Sequence, residues 1–341
     1  MTSSILDRTD PSAPPSTPEG AKLGTFLGVF TPSILTILGV ILFLRTGWVV
    51  GNVGLLPALA IVIVANSITL ATALSVSAIA TNMHVGAGGA YYIISRSLGL
   101  EFGGAIGVPL FLAQAFSVTL YAFGLAESLR LFWPGVPVRA VAGVTVVLVA
   151  VIAGKSAEFA LRLQIPVLVA IGLALLSLLL GVVGRAGESV QLFTVAEQAA
   201  PFWVVFAVFF PAVTGLMAGV SLSGDLRDPK RAIPRGTIAA VLAGFVVYLA
   251  VPIALAVAAD PLDLVNDSLI WFSIAAVPML VLPGLLGAIL SSAVGSMLGA
   301  PRTLEALAVD RVVPHVLTWR PFGVKGPSIA YVGSAGLALA A

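Results

Sequence analysis

The feature that most constrains this chain is a series of long apolar segments that suit the interior of a lipid bilayer. A membrane-spanning helix needs roughly 20 apolar residues. Eight segments approach or exceed this length, at residues 26–50, 53–80, 102–126, 138–154, 161–183, 199–222, 236–259 and 279–300. A ninth apolar run begins near Pro327 and reaches Ala341, the last residue, so we expect the sequence to end within a span.

The composition fits a membrane protein with several spans. Of the 341 residues, 59% are hydrophobic and only 9% are charged, whereas a soluble domain carries about 25% charged residues. The chain has no cysteine, which rules out disulfide and thiolate chemistry. Its net charge of +2 does not indicate a nucleic-acid partner. We therefore predict an all-α integral membrane protein surrounded by the lipid bilayer.

The N-terminal segment differs from the rest of the chain. Residues 1–22 are polar and rich in Pro and Ser, and they lack the charged and apolar regions of a cleaved signal peptide. We expect residues 1–22 to form a disordered cytoplasmic tail and residues 23–341 to form one transmembrane domain.

Loop charges predict the orientation of the spans, because cytoplasmic loops carry an excess of Lys and Arg. With the N-terminus inside, thirteen of the 17 basic residues fall in inner loops: Arg8, Lys22, Arg96, Lys155, Arg162, Arg227, Lys230, Arg231, Arg235, Arg302, Arg311, Arg320 and Lys325. Three fall outside, namely Arg130, Arg139 and Arg185, and Arg45 near the end of the first span completes the 17. This asymmetry predicts a multi-pass protein of the cell (plasma) membrane with a cytoplasmic N-terminus.

Two apolar segments contain proline, threonine and glycine in their interior: FTPSILTILGV at residues 30–40 and FPAVTGL at residues 210–216. Continuous helices disfavour Pro and Gly, and irregular backbone survives in lipid only where it is buried or lines a cavity. The two segments belong to spans one and six, which run in opposite directions. Paired broken helices of this kind are typical of inverted repeats with a binding site at the breaks. The alternative is two independent kinks that Thr side chains relieve.

A broken helix exposes backbone groups of both polarities. Free amides at the start of a half-helix bind anions, and the carbonyls on the other side suit alkali cations. The amides predicted to be free are those of Gly39, Val40 and Ile41 in span one, and of Gly215, Leu216 and Met217 in span six.

Several long motifs resemble the cation-chloride cotransporters of the amino acid–polyamine–organocation superfamily. These are ILTILGVILFLRTGWVVGNVGL, SVSAIATNMHVGAGGAYYIISRSLGLEFGGAIG, FFPAVTGLMAGVSLSGDLRDPKRAIPRGT and LSSAVGSMLGAPRTLEALAVDRVVP. The resemblance covers most of residues 24–340. It implies a LeuT-like 5+5 inverted repeat with broken helices 1 and 6, here with about eight complete spans and part of a ninth. It also implies near-electroneutral symport of chloride with Na+ and/or K+ by alternating access, in a family that is often dimeric.

The resemblance also assigns ion ligands. It implies a potassium site at Thr36, Ile37, Tyr121, Pro211 and Thr214, where the family usually has Asn at the Thr36 position. The implied sodium ligands are Leu35, Leu38, Ala288, Ser291 and Ser292, and the two serines favour a sodium-coupled member. One chloride would bind Gly39, Val40 and Ile41, and a second would bind Gly215, Leu216 and Met217. In the family a tyrosine of span ten completes the second chloride site, and this sequence ends before a tenth span.

Simpler interpretations of these residues remain open. Tyr121 could be a core tyrosine that caps a carbonyl, and Pro211 could only break its helix. Ser291 and Ser292 could be small residues that allow close helix packing.

Two charged residues near the outer membrane surface form a candidate gate. Arg45 follows an apolar run, and Glu127 lies near the outer end of span three. Ionisable residues at such depth are functional candidates, and we predict that they pair in an extracellular gate. The alternative is that Arg45 extends to the lipid headgroups. A further segment, HVGAGGAYYIISRSLG, predicts a re-entrant or interfacial inner helix.

Other functions fit less well. An amino acid or amine permease of the same superfamily usually has a GSG-like triplet at the first break, where this chain has the bulky Leu38. An enzyme would need paired acids, metal ligands or an activated nucleophile, yet the two histidines, His84 and His315, fall in inner loops. A channel would show a filter or a charged ring. We therefore expect neither enzymatic activity nor a cofactor.

Overall fold

The protein is described by a computed structural model over residues 22–83, 85–183, 193, 195–196, 199–321 and 328–341. The predicted tail, apart from Lys22, lies outside these described residues, as do His84, Arg185 and Lys325. Within the described ranges the chain is helical, and its β pairing is an isolated parallel bridge between Leu23 and Leu226. The prediction of an all-α membrane protein is thus confirmed.

Sixteen α-helices follow one another in the described chain. They are α1 (Thr31–Ile37), α2 (Val40–Leu44), α3 (Thr46–Val53), α4 (Leu55–Asn82), α5 (Gly89–Leu98), α6 (Leu100–Phe132), α7 (Val138–Lys155), α8 (Ala157–Arg162), α9 (Gln164–Val183), α10 (Phe202–Phe209), α11 (Met217–Val220), α12 (Pro229–Ala258), α13 (Pro261–Asn266), α14 (Ile270–Ile274), α15 (Val281–Val309) and α16 (Ile329–Ala340). A π-helical turn at Phe26–Phe30 precedes α1. Short 3₁₀ turns lie at Phe210–Val213, Ser223–Asp225, Pro278–Leu280 and His315–Thr318.

Eight helical segments in the described chain are long and apolar enough to cross a membrane, as the sequence predicts. They are Phe26–Leu44, Leu55–Asn82, Leu100–Phe132, Val138–Lys155, Ala157–Val183, Phe202–Asp225, Pro229–Ala258 and Pro278–Val309. We call them spans 1 to 8. The ninth apolar run forms the shorter helix α16.

Span 7 begins earlier than its hydropathy suggests. The basic stretch before residue 236 is already helical from Pro229, which occupies the first helical position. Asp228 caps this end, because its carboxylate accepts a hydrogen bond from the Arg231 amide at 3.3 Å. A capping acid followed by Pro is a strong start signal for a helix, and it extends the helix into a charged segment.

The broken spans lie at the centre of the bundle. Span 1 is 67% buried within the protein, followed by span 8 at 56% and span 6 at 50%, whereas spans 3 and 5 are only 22% buried. Exposed apolar side chains such as Leu120 and Val144 cover the peripheral spans. Since a bilayer solvates such surfaces, the protein encloses spans 1, 6 and 8 and presents the others to lipid.

Two ends of the bundle can be distinguished. At one end, here called the basal face, Leu23 pairs with Leu226 and α5 packs beside the end of α15. At the other, the distal face, α13 covers the end of α3, and a methyl group at Gly51 would lie only 2.5 Å from the Pro261 carbonyl oxygen. The predicted inner helix is α5 on the basal face, where Gly88 precedes it with a φ of +109°.

Candidate functional site

The first break separates α1 from α2 at Leu38 and Gly39. Leu38 has φ and ψ of −83° and 40°, and Gly39 is extended at −79° and −160°, so neither continues the helix. Within the described chain the Gly39 amide makes no hydrogen bond. Since α1 ends here, its last carbonyls also lose their intrahelical partners. The interruption predicted at residues 30–40 is therefore present, and it exposes backbone groups of both polarities.

The second break spans Thr214 to Leu216. The chain leaves α10 through a 3₁₀ turn at Phe210–Val213 and resumes a short helix at Met217. The Gly215 and Leu216 amides make no hydrogen bonds in the part of the chain that the structure describes. The second interruption is thus also where the sequence predicts it.

The two breaks meet in the centre of the bundle. A methyl group at Gly215 would lie 2.7 Å from the Ile37 nitrogen and 2.8 Å from Thr36 Cβ, so only glycine permits this approach. Ser33 Oγ donates a hydrogen bond to the Leu216 carbonyl at 3.1 Å and accepts one from the Gly219 amide at 3.3 Å. The breaks therefore form one shared site rather than two independent kinks.

Thr36 and Thr214 both donate hydrogen bonds to the preceding turn of their own segments, as expected if threonine side chains relieve kinks. Thr36 Oγ1 donates to the Pro32 carbonyl, and Thr214 Oγ1 donates to the Pro211 carbonyl, both at 2.8 Å. Such bonds back to the preceding turn bend helices. Each threonine oxygen retains lone pairs that can face a cation.

A tyrosine that the sequence analysis did not single out lies beside the first break. The fully buried Tyr248 of α12 donates its hydroxyl to the Ile37 carbonyl at 2.7 Å. This bond satisfies one lone pair of a predicted potassium ligand. Tyr121 is half-buried, and its hydroxyl makes no hydrogen bond within the described residues, so it does not cap a carbonyl here.

The predicted sodium ligands are buried together where span 1 meets α15. Leu35, Leu38, Ala288, Ser291 and Ser292 are each at most 4% exposed. Ser292 Oγ donates a hydrogen bond to the Ala288 carbonyl at 2.9 Å. A methyl group at Gly39 would lie 3.4 Å from Ser292 Oγ.

Ser291 differs from its neighbour. Its hydroxyl is buried and has no hydrogen-bond partner among the described residues. A buried hydroxyl without a partner costs free energy, so its oxygen is available to a ligand.

The predicted pair of Arg45 and Glu127 is not formed in this structure. Arg45 and Glu127 are both exposed, and they form no ion pair within 4.0 Å. Arg45 follows α2 with its amide bonded to the Ile41 carbonyl at 3.0 Å. Their role in an extracellular gate stays a prediction.

Polar contacts between distant residues connect the spans at the basal face, and the sequence motifs do not predict them. Arg302 of α15 forms an ion pair with Asp225 at 2.7 Å. One level deeper, Gln114 donates to Ser221 Oγ at 3.2 Å and accepts from Thr303 Oγ1 at 3.1 Å. These contacts tie spans 3, 6 and 8 together below the site.

Helix α5 adds a second tie on the basal face. Asp310 accepts hydrogen bonds from the Tyr91 hydroxyl and from Arg96, each at 2.8 Å. Burial, together with the hydrogen bond to Asp310, raises the pKa of Tyr91 above its usual value, and the Asp310 contact raises the pKa of Arg96. Both shifts favour the protonated forms that donate to Asp310.

Three kinds of comparison agree with this architecture. A family model described as "Amino acid permease" matches residues 28–331. The chain is 34% identical to solute carrier family 12 member 2 of Mus musculus over 86% of this chain, to member 1 of Homo sapiens over 85%, and to member 8 of Mus musculus over 91%. It spans only 29%, 32% and 46% of the length of these relatives. The resemblance to cation-chloride cotransporters is confirmed by these matches.

A solved structure supports the fold. It is that of Mhp1, a nucleobase-cation-symport-1 family transporter in a closed conformation with bromovinylhydantoin bound, with a TM-score of 0.55 and 16% identity. The match covers 96% of this chain and 74% of that one, and it confirms the predicted LeuT-like architecture. The matched proteins are transporters rather than enzymes, as the sequence predicts. This multi-pass membrane protein therefore belongs to the amino acid permease family.

Proposed function

We propose that the protein is a secondary active symporter that moves chloride with Na+ and/or K+ by alternating access. The observation that carries this proposal is the contact of the two broken helices at Gly215, Thr36 and Ile37. It brings the buried Gly215, whose amide makes no hydrogen bond among the described residues, against the end of α1, where the Gly39 amide is also without a partner. Similarity to solute carrier family 12 supports chloride and alkali cations as the transported solutes.

The sodium ion would bind between α1 and α15. Hard cations prefer oxygen ligands, and the proposed set consists of the carbonyls of Leu35, Leu38 and Ala288 with the hydroxyls of Ser291 and Ser292. The unpartnered Ser291 hydroxyl supports this assignment, because close helix packing alone gives no reason to bury an unsatisfied oxygen.

Potassium would bind on the other side of the first break, at Thr36, Ile37, Tyr121, Pro211 and Thr214. The Tyr121 hydroxyl is free to contact it, and Tyr248 orients the Ile37 carbonyl. Chloride would bind the amides at the start of each half-helix: Gly39, Val40 and Ile41 for the first ion, and Gly215, Leu216 and Met217 for the second. Paired cations and anions would keep the cycle nearly electroneutral.

The structure corresponds in this proposal to a state closed on the basal face. Ion pairing of Arg302 with Asp225 closes that side, while Arg45 and Glu127 remain apart on the distal side. Bound ions would shift the population towards an occluded state in which Arg45 and Glu127 pair. The basal face would be cytoplasmic, as the loop charges predict. The protein would lie in the cell membrane, and it could form a homodimer there.

An amino acid or amine permease is less consistent with the first break. Leu38 is 4% exposed and lies where a substrate carboxylate would need space. A narrow site favours small ions over organic substrates.

The proposal is tested by tracer chloride uptake into liposomes that contain the full-length protein. We expect uptake to fall to background when sodium is replaced by choline, and potassium omission tests the second cation in the same way. Uptake of amino acids without any chloride dependence would contradict the proposal.

A further inference from the structure

A glutamine outside every predicted ligand set lies beside the proposed sodium site. Gln164 is the first residue of α9, and Leu163 lies between α8 and α9 within span 5. Its side chain is 3% exposed, and Oε1 has no hydrogen-bond partner among the described residues. Burying an amide oxygen without a partner costs free energy, so a contact that compensates for this cost is expected.

The hydrogen bond made by the Gln164 amide nitrogen shows where Oε1 lies. Gln164 Nε2 donates a hydrogen bond of 3.4 Å to the backbone carbonyl of Ser291. Oε1 and Nε2 are bonded to the same carbon atom, so the position of Nε2 restricts the position of Oε1. Oε1 is therefore held within a few ångströms of Ser291, whose own hydroxyl also lacks a partner.

The packing of α9 on α15 fixes this arrangement. A methyl group at Gly284 would lie 2.9 Å from Ala174 Cβ, and one at Gly287 would lie 3.0 Å from Val167 Cγ1. The helices thus run antiparallel in close contact, and the next turn brings Ser291 to Gln164. Two unpartnered oxygens from two helices consequently lie at one buried level of the bundle.

We propose that Gln164 supplies an additional oxygen ligand, from span 5, to the sodium ion bound at Ser291. This inference rests on the proposed sodium coupling. A neutral amide oxygen suits a hard monovalent cation, and it would satisfy Oε1 and Ser291 Oγ at the same time. The ion would then connect span 5 to spans 1 and 8.

The experiment measures sodium-dependent thermal stabilisation of the full-length protein in detergent, with choline replacing sodium at constant ionic strength. A ligand that binds the folded state raises the unfolding temperature according to its affinity. We expect the sodium concentration for half-maximal stabilisation to rise about tenfold in Gln164→Leu. Gln164→Glu should retain the response, because its carboxylate also presents an oxygen.

A sodium-free measurement separates a ligand from a structural residue. Removing an unsatisfied buried oxygen should leave the sodium-free unfolding temperature of Gln164→Leu equal to that of the wild type or above it. Asn66→Leu is the matched control, because Asn66 is a buried amide of α4 whose Nδ2 donates to the Val62 carbonyl of its own helix at 2.9 Å. It should lower the unfolding temperature without moving the sodium midpoint.

Two outcomes would overturn the inference. If the wild type responds to sodium, Ser291→Ala weakens that response and Gln164→Leu leaves the midpoint unchanged, the sodium site stands and the role of Gln164 is wrong; a water molecule would then satisfy Oε1. If the wild type shows no sodium response at all, both the proposed sodium coupling and the role of Gln164 are wrong.

Discussion

Gly215 lies against the backbone of Ile37, with room for a hydrogen atom but not for a methyl group. A Cβ at position 215 would lie 2.7 Å from the Ile37 nitrogen. This contact joins residues of two spans that are far apart in the sequence, and it makes the two helix breaks parts of one site.

Replacing Gly215 by alanine should separate the two breaks. Overpacking of this kind costs about 1–3 kcal/mol, so we expect the apparent chloride affinity in tracer uptake to fall by about tenfold. Gly172→Ala is the control, since a methyl group on this glycine of α9 meets nothing within 4 Å. Equal chloride affinity in the two variants would show that the contact does not shape the site.

Removing the Tyr248 hydroxyl should affect both stability and potassium dependence. Tyr248→Phe leaves the Ile37 carbonyl without its donor, which costs about 1–3 kcal/mol and lowers the unfolding temperature. Because that carbonyl is a proposed potassium ligand, we also expect half-saturation by potassium to shift upward. Tyr331→Phe removes a comparable bond to the Ala150 carbonyl, outside the site, and should change stability alone. A potassium dependence of Tyr248→Phe equal to that of Tyr331→Phe would contradict the assignment.

Breaking the basal ion pair should open the basal side. The natural chain has no cysteine, so a single Ser221→Cys reporter, buried in this state, can be labelled with a membrane-impermeant maleimide. Loss of one or two kcal/mol from the closed state changes its population about five- to thirtyfold, and we expect labelling in Arg302→Ala to accelerate accordingly.

The exposed pair Arg231–Asp228 provides the control for that experiment. Its atoms are 3.5 Å apart with side chains 77% and 50% exposed, and exposed pairs contribute little. Arg231→Ala should leave the labelling rate of the Ser221→Cys reporter unchanged. An equal acceleration in both variants would mean that general loosening, not the Arg302 contact, controls access.

The distal gate is tested by exchanging its charges. If Arg45 and Glu127 pair in the occluded state, Arg45→Glu should reduce chloride uptake severalfold by placing two acids together, and the added change Glu127→Arg should restore it. Arg130→Ala, at the same end of α6 as Glu127, should have little effect. If chloride uptake does not recover in the double variant, the pairing is contradicted, and Arg45 would instead extend to the lipid headgroups.

Sequence reasoning located the breaks because their cause is local. Proline, threonine and glycine occur together in two apolar runs, and Leu38–Gly39 and Thr214–Leu216 are the interruptions found there. Proline alone does not predict a break, because Pro109, Pro252 and Pro301 lie inside continuous helices. The number of spans followed from segment length alone in the same way.

The remaining contacts depend on partners distant in the chain. Tyr248 is 211 residues from the Ile37 carbonyl, Gln164 is 127 residues from Ser291, and Arg302 is 77 residues from Asp225. Each is a polar residue in or beside an apolar span, which was the signal available in the sequence. Only the packing of the helices shows which partner each one has.

The central claim is that peptide groups left bare by two facing helix breaks hold the transported ions. Its most direct test is a crystal structure of the full-length protein with bromide in place of chloride, using the anomalous signal of bromide. We predict bromide peaks at the amides of Gly39–Ile41 and of Gly215–Met217. Bromide found only at the surface, or a continuous helix through either segment, would contradict the account.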